Sequence, residues 1–535
     1  MSYPWWQTAV FYQIYVRSFA DSNGDGVGDL PGIIARLDYL NDGTADSLGV
    51  DALWLTPVYP SPEYDFGYDV SDYTAVNPRF GDMADLDRLL AEAHRRKIRV
   101  ILDFVPNHTS HEHAWFRESR SSRQNPKRDW YIWSDRVPNN WQASFGGRAW
   151  EYDAATGQFY LHSFLPQQPD LNWRNPAVRE AVFAAMRFWL DRGVDGFRLD
   201  VINHIFKDAK MRDNPGCLGW RPYDMQRHIN DRNQPEVHGV LKDLRRLLDT
   251  YGDRMAVGEI NRVDLQDAKE PARYYGEAAD ELPLAFDFGF THCPWNARRF
   301  ARAIRAWEEA LPPGGWPCYV LSNHDVPRHI SRYGRGPRAL PRAKLAAMML
   351  LTLRGTPFLY YGEEIGLRNG RVPRHRLQDP VGRRYWPFHP GRDEERTPMQ
   401  WDAGPNAGFT TGEPWLPLGQ EYKTTNVATE AKDPDSLLSL YRRLIWLRKE
   451  CPALLHGAYR ELMGPADCLI YERRTEAQTV VVALNFGREA REVNLPVTRG
   501  TILAATGGKN GEWRGQGLRL EAEEGLIIEI GKSEK

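Results

Sequence analysis

The sequence predicts an α/β fold: a (β/α)8 barrel with an inserted subdomain after its third strand and a C-terminal antiparallel β domain. Three observations predict it. Eight short apolar runs recur between residues 9 and 364, mostly separated by helical stretches, the pattern of a parallel sheet covered on both faces. Eight such strands favour closure into a barrel over an open sheet. Several runs also end in a carboxylate: Asp103 in RVILDFVPNH, Asp200 in VDGFRLDVIN, Glu259 in RMAVGEIN and Asp325 in CYVLSNHD. A buried carboxylate is costly unless paired or hydrogen-bonded, so four at matching positions point to one shared pocket.

The elements follow in order. AVFYQIYVRSF (9–19) is a strand, followed by the Gly/Asp-rich loop DSNGDGVGD (21–29) and the helix DLPGIIARLDYL (29–40). VDALWLTPVY (50–59) is the second strand. DMADLDRLLAEAHRRK (82–97) places Leu86, Leu89, Leu90 and Ala93 at helical spacing. RVILDFVPN (99–107) is the third strand. NPAVREAVFAAMRFWLDRG (175–193) is a helix: Asn175 caps it, Pro176 suits its first turn, Val178, Val182, Met186 and Trp189 form an apolar face, and Gly193 stops it. VDGFRLDVI, RMAVGEI, LPLAFDF, CYVLSNH and TPFLYYGEE supply the other five strands. The aromatic, polar stretch 106–173 is too long for a structureless loop and reads as an inserted subdomain. After LLSLYRRLIWLRKECPALL (437–455) the pattern changes to short alternating segments separated by turn residues, including DCLIYERR, QTVVVALNF, REVNLPV and GLRLEAEEGLIIEI. The expected division is 1–105 with 174–455 for the barrel, 106–173 for the insertion and 456–535 for the β domain.

Composition bounds the function. At 535 residues the chain exceeds one hydrophobic core. A formal net charge of −2 argues against general affinity for nucleic acid or an anionic membrane, and no stretch approaches the roughly 20 apolar residues of a membrane span. The five cysteines include no CxxC pair, which suits idle thiols in a reducing compartment, and the N-terminal MSYPWWQTAVFYQIY reads as the start of the fold rather than a targeting peptide. A cytoplasmic enzyme, monomeric or homodimeric, is expected. Of the 19 tryptophans, Trp130, Trp133, Trp141, Trp150, Trp173, Trp220, Trp386 and Trp401 lie in polar segments, where they serve either as sugar-stacking faces or as pins for long loops.

Barrel enzymes place their chemistry where strands end, which is where Asp200, Glu259 and Asp325 fall. Retaining glycoside hydrolysis needs one carboxylate as nucleophile and one carboxylic acid to protonate the leaving oxygen. Arg198, two residues before Asp200, projects to the same side of its strand and can hold Asp200 ionised. In DSNGDGVGD the side chains of Asp21, Asn23, Asp25 and Asp29 with the Val27 carbonyl offer oxygen ligands to a hard cation, Ca2+ or Mg2+. The closing Glu of an EF-hand loop is missing, and an Asx-rich turn without an ion is the alternative.

The segments DFVPNH (103–108), GFRLDVIN (196–203), GEI (258–260) and SNHD (322–325), with GVDALWLTPVYPSP (49–62) and QPDLNW (168–173), resemble the alpha-amylase superfamily, glycoside hydrolase family 13. The resemblance implies Asp200 as nucleophile, Glu259 as general acid/base and Asp325 as the third carboxylate. It implies that His108 and His324 hydrogen-bond the terminal glucose, that Arg198 flanks the nucleophile, and that the Gly/Asp-rich loop is a structural metal site. SPEYDFGYDVSDY (61–73) and RTPMQWD (396–402) resemble the alpha-glucosidase and oligo-1,6-glucosidase branch. That implies an Asp65–Arg396 pair closing the pocket, Tyr68 stacking on the sugar, Phe164 and Gln168 at the rim, and acceptance of alpha-1,6 links through Val201. The expected activity is a retaining exo-alpha-glucosidase on short alpha-linked gluco-oligosaccharides or disaccharides, with transglucosylation on the side. Alternatives are a dedicated alpha-glucosyltransferase or sucrose hydrolase, and a non-catalytic sugar-binding homologue.

Overall fold

The structure, a computed structural model, describes residues 3–264, 267–286, 288–495, 498–515 and 517–531. Eight parallel strands form the central sheet: Phe11–Ile14, Ala52–Leu55, Arg99–Phe104, Gly196–Leu199, Met255–Gly258, Leu284–Ala285, Cys318–Val320 and Thr356–Tyr360. The first six pair successively in chain order, and the eighth joins the seventh to the first. The barrel is thus nearly closed, with its seam between the sixth and seventh strands. Position 287 of the expected strand LPLAFDF and positions 496–497 of REVNLPV lie outside the described residues.

The lumen is packed, as alternation of side chains across each strand requires. Phe11, Trp54, Ile101, Val257, Phe286 and Phe358 fill it, with Phe11 stacked on Phe358 at 4.3 Å. The larger apolar cluster lies outside the strands, against the helices. Met83–Arg95 starts on a capping box of Asp82 and Asp85, and Pro176–Asp191 on the Asn175 side chain, which accepts from Ala177 N. Some expected elements are shorter. The strand over 9–19 is confined to Phe11–Ile14 because a 3-10 turn at Val16–Ser18 carries the chain out over the barrel mouth. The stretch 437–455 holds two helices, Leu437–Glu450 and Pro452–His456, separated because Pro452 pushes Cys451 into an extended conformation.

A three-stranded antiparallel sheet (Trp133–Ser134, Gln158–Leu161, Trp150–Asp153) and the helix Ala114–Ser121 occupy the stretch between the third and fourth barrel strands. Beyond the barrel lie a six-stranded antiparallel sheet and a strand pair, Arg491–Asn494 with Gly517–Leu520. Most loop tryptophans are pins. The indole N–H of Trp141 donates to Arg212 O, that of Trp173 to Pro106 O and that of Trp401 to Phe19 O, and all three rings are buried. Among the described residues no helix is long and apolar enough to cross a membrane.

Candidate active site

The carboxylates converge at the C-terminal ends of the strands, around one guanidinium. Arg198 Nη1 donates to Asp103 Oδ1 at 2.7 Å and to Asp200 Oδ1 at 2.8 Å, and its Nη2 bonds Glu259 Oε2. Two residues of alternation put Arg198 and Asp200 on the same side of the fourth strand. Val201 then takes a left-handed backbone, φ +36°, rare for a β-branched residue. This turn aims Val201 N–H at Glu259 Oε2, 3.3 Å away. Asp103 sits below, buried, accepting also from Trp54 Nε1 at 3.1 Å and Tyr68 Oη at 2.9 Å.

His324 closes one side. Its Nε2 lies 2.6 Å from Tyr68 Oη and 3.1 Å from Asp325 Oδ2, its Nδ1 2.8 Å from Gln13 Nε2, and its ring stacks on Tyr68. Tyr68 therefore spends a face on His324. Across the cavity, Gln168 Nε2 bridges Asp65 Oδ2 at 3.0 Å and His108 Nε2 at 3.2 Å, and Phe164 packs its ring 5.2 Å from that of His108. The expected Asp65–Arg396 pair is corrected. Arg392 reaches Asp65 at 2.8 Å, and the same guanidinium holds Asp325 at 2.9 Å and Asp379 at 2.7 Å. Arg396 lies one helical turn away in the 3-10 segment Asp393–Arg396, donating to Asp325 at 2.9 Å and to His324 O at 2.7 Å. Arg392 carried no separate signal, because it lies outside RTPMQWD. Its place became legible only when the loop folded back over Asp65.

The resulting cavity encloses about 270 Å³, lined by Asp65, Tyr68, His108, Asp200, Glu259 and Asp325 on its polar side and by Phe145, Phe164, Val201 and Val381 on its apolar side. Eight of the twelve expected site residues outside the metal loop line this space. Arg198, Gln168, His324 and Arg396 stand behind them, and Phe145, Arg221, Val381, His389 and Arg392 join the wall unanticipated.

Burial and mutual repulsion set the ionisation. Asp200 is pushed well up, first by burial; Arg198 opposes this and Glu259 and Asp103 add to it. Glu259 is raised by burial, against Arg198 and with Asp325. Three carboxylates share one guanidinium, so the Asp200–Glu259 pair keeps a proton to higher pH than either group alone would. Asp103 is pushed to about 6 by burial against the pull of Arg198. Asp325 differs: burial works against its charge, but the Arg392 and Arg396 guanidiniums outweigh it and hold it ionised, with His324 Nε2 3.1 Å away. Burial drives His108 down to about 4 and His324 well below its ordinary value, so both meet a ligand as neutral rings. An ionised carboxylate, a shared proton and neutral donors around one cavity can attack an acetal carbon and protonate its leaving oxygen.

The expected Ca2+ or Mg2+ site is overturned. Among the described residues no group of three or more His, Cys, Asp or Glu is arranged to hold a metal ion. The loop oxygens are engaged with the protein itself. Asp21 accepts from the amides of Asn23, Gly24 and Gly26 and from Thr410 Oγ1; Asn23 accepts from Asp25 N, and Asp25 from Val27 N. Asp29 caps the helix Leu30–Ile34 through Gly32 N and holds Ser22. The Val27 carbonyl has no carboxylate cluster to complete. Alternating Asx residues here build successive turns.

Comparison with known proteins agrees with this geometry. Residues 13–457 match the family model "Alpha amylase, catalytic domain". The chain is 44% identical over 512 residues to a probable alpha-glucosidase of Rhizobium meliloti (strain 1021), covering 92% of each chain. It is 42% identical over 532 residues to an oligo-1,6-glucosidase of Parageobacillus thermoglucosidasius, covering 93% of each. A solved alpha-glucosyl transfer enzyme superposes with a TM-score of 0.92 at 43% identity, over 99% of this chain and 100% of the other. Family match, barrel and carboxylate cluster together make this chain a glycoside hydrolase/transferase of the alpha-amylase superfamily, family 13, close to its alpha-glucosidase and oligo-1,6-glucosidase branch.

Proposed function

We propose that the protein is a retaining, exo-acting alpha-glucosyl-transferring enzyme. It takes a terminal alpha-linked glucose from short alpha-glucosides and passes it to an acceptor, a sugar hydroxyl or water. Asp200 attacks C1 of the glucose while Glu259 gives its proton to the leaving oxygen; Glu259 then takes a proton from the acceptor whose oxygen displaces Asp200. Asp325, the neutral His108 and His324, and Gln168 through His108 and Asp65 bind the ring hydroxyls, and Arg198 orients the reacting carboxylates.

The observation that carries this reading is the small cavity blocked at one end by Arg392 between Asp65 and Asp325. A dead end admits a chain terminus and excludes the interior of a polymer. Transfer is set ahead of plain hydrolysis because a similar solved structure is that of an alpha-glucosyl transfer enzyme. The names of the sequence relatives favour hydrolysis as the second reading. Val201 beside Asp200 supports acceptance of alpha-1,6 links, a preference worth only about 1–3 kcal/mol. No disulfide joins any of the five cysteines, which fits the cytoplasmic setting that belongs to this proposal.

A product time course with maltose, isomaltose, isomaltotriose, sucrose and soluble starch tests it. Freshly released sugar is expected as the alpha anomer, and oligosaccharides longer than the substrate should accumulate at high maltose concentration. Beta-glucose as first product, or fast internal cleavage of starch, would overturn it. Free glucose alone at every maltose concentration would favour the hydrolytic reading.

A further inference from the structure

A neutral His324 carries one ring proton, and its two nitrogens meet different neighbours. Nε2 faces Tyr68 Oη at 2.6 Å and Asp325 Oδ2 at 3.1 Å, while Nδ1 faces the side-chain amide nitrogen of Gln13 at 2.8 Å. Tyr15 lies nearly parallel to the ring, centres 5.9 Å apart, and Trp54 meets it edge-on at 6.0 Å. Gln13 belongs to the first barrel strand, Phe11–Ile14, two residues beyond the lumen residue Phe11 and so on the same side of the strand. It is buried and takes no part in the chemistry proposed above.

Two buried carboxylates fix the direction of the hydrogen bonds. With the proton on Nε2, an N–H faces Asp325, Tyr68 Oη can accept from it, and the Tyr68 hydroxyl donates onward to Asp103 Oδ2 at 2.9 Å. Gln13 N–H then donates to the bare Nδ1, and one chain of donors runs from Gln13 through His324 and Tyr68 to Asp103. With the proton on Nδ1, a bare nitrogen would face the Asp325 carboxylate, and the Tyr68 hydroxyl could serve Nε2 or Asp103 but not both. Lone pairs set against buried carboxylates are costly where the dielectric is low. Gln13 itself carries the mark of this choice. Its Oε1 is buried and accepts from no group among the described residues. Turning the amide over would offer Oε1 a proton on Nδ1, yet the nitrogen is what meets the ring.

We propose that Gln13 is a positioning residue: its amide keeps Nδ1 of His324 an acceptor and so holds the ring proton on Nε2, facing Asp325 and Tyr68. This deepens the proposed function, since its catalytic consequence rests on His324 and Asp325 binding the terminal glucose. Neutron diffraction from deuterium-exchanged crystals of the full chain reads the proton directly. Deuterium is expected on His324 Nε2 and not on Nδ1, with the Gln13 amide nitrogen toward the ring. Deuterium on Nδ1, or Gln13 Oε1 toward the ring, overturns the proposal, and this map decides even where a variant does not fold. Two variants of similar size then separate proton placement from packing. In Gln13→Glu the carboxylate draws the proton to Nδ1, and KM for maltose should rise about fivefold or more, with a smaller fall in kcat. In Gln13→Met the bulk remains and Asp325 still favours the proton on Nε2, so KM should stay within about twofold of wild type. Equal losses in the two variants would mark a packing role and overturn the proposal, as would an unchanged KM in Gln13→Glu. Wild type inert on maltose would sink the glucose-binding reading instead, with the neutron map still deciding where the proton sits.

Discussion

At the scale of single residues the site is a contest over protons. Asp200 and Glu259 are both raised, chiefly by burial, and both lean on Arg198. Activity therefore needs one proton on the pair, and kcat/KM should fall as pH rises and that proton leaves. Glu259→Gln should abolish this basic limb. It should cost about 10²- to 10⁴-fold with maltose and far less with alpha-glucosyl fluoride, whose leaving group needs no acid; equal losses on the two donors would remove Glu259 from the acid role. Asp200→Asn should lower turnover on the order of 10⁴-fold or more. It should also stabilise the fold. A carboxyl raised on folding contributes stability at low pH that is lost as pH climbs through its folded-state value. Replacing Asp200 should thus stabilise the fold near neutrality by on the order of 0.5–2 kcal/mol, read as a rise in Tm, and the gain should vanish on acidification. A Tm gain that persists in acid would refute the repulsion argument.

At the scale of elements, loops decide the chemistry that strands only present. The 3-10 segment Asp393–Arg396 and the residue just before it deliver two guanidiniums to one carboxylate, Asp325. Removing Arg392 would leave Asp65 and Asp379 short of their buried partner. Arg392→Ala should destabilise by about 3–5 kcal/mol, read by denaturant unfolding, and raise KM for maltose. The Gly/Asp-rich loop makes the opposite point, since its acids serve backbone amides. Tm should be unmoved by EDTA, while Asp29→Ala, which removes the cap on Leu30–Ile34 and the hold on Ser22, should cost about 1–2 kcal/mol. A fall in Tm with chelator that Ca2+ reverses would reinstate an ion.

At the scale of the molecule the C-terminal β sheet is fitted tightly to the barrel. Arg473, fully buried in the sheet, donates to Thr352 O of the barrel at 2.6 Å. At Gly525, on an interior strand, an added Cβ would come within 2.8 Å of the Leu345, Met348 and Leu484 side chains, so side chains of the barrel helix Ala339–Thr352 pack directly on the sheet backbone. Gly525→Val should cost about 1–3 kcal/mol in thermal or denaturant unfolding, with kcat at 25 °C unchanged, since the contact is remote from the cavity. An unchanged stability would mean the interface is looser than this packing.

Much was legible before folding. The eight apolar runs, the carboxylates at their ends and the cap at Asn175 are local patterns, set by side-chain alternation and by amides that need partners. They located Asp200, Glu259 and Asp325 at the strand ends of one barrel, whereas His108 was singled out only by the resemblance of DFVPNH to the family. Other features depend on groups distant in the chain. Arg392 rather than Arg396 bridges to Asp65 because a loop more than three hundred residues away folds back over it. The acidic loop binds its own amides because Thr410 and the turn backbone reach its oxygens first. The spread of ionisation across the pocket arises because several strands bring charges together inside low-dielectric walls. Periodicity and capping are written in neighbouring residues; the pairing of charges is decided by distance in space.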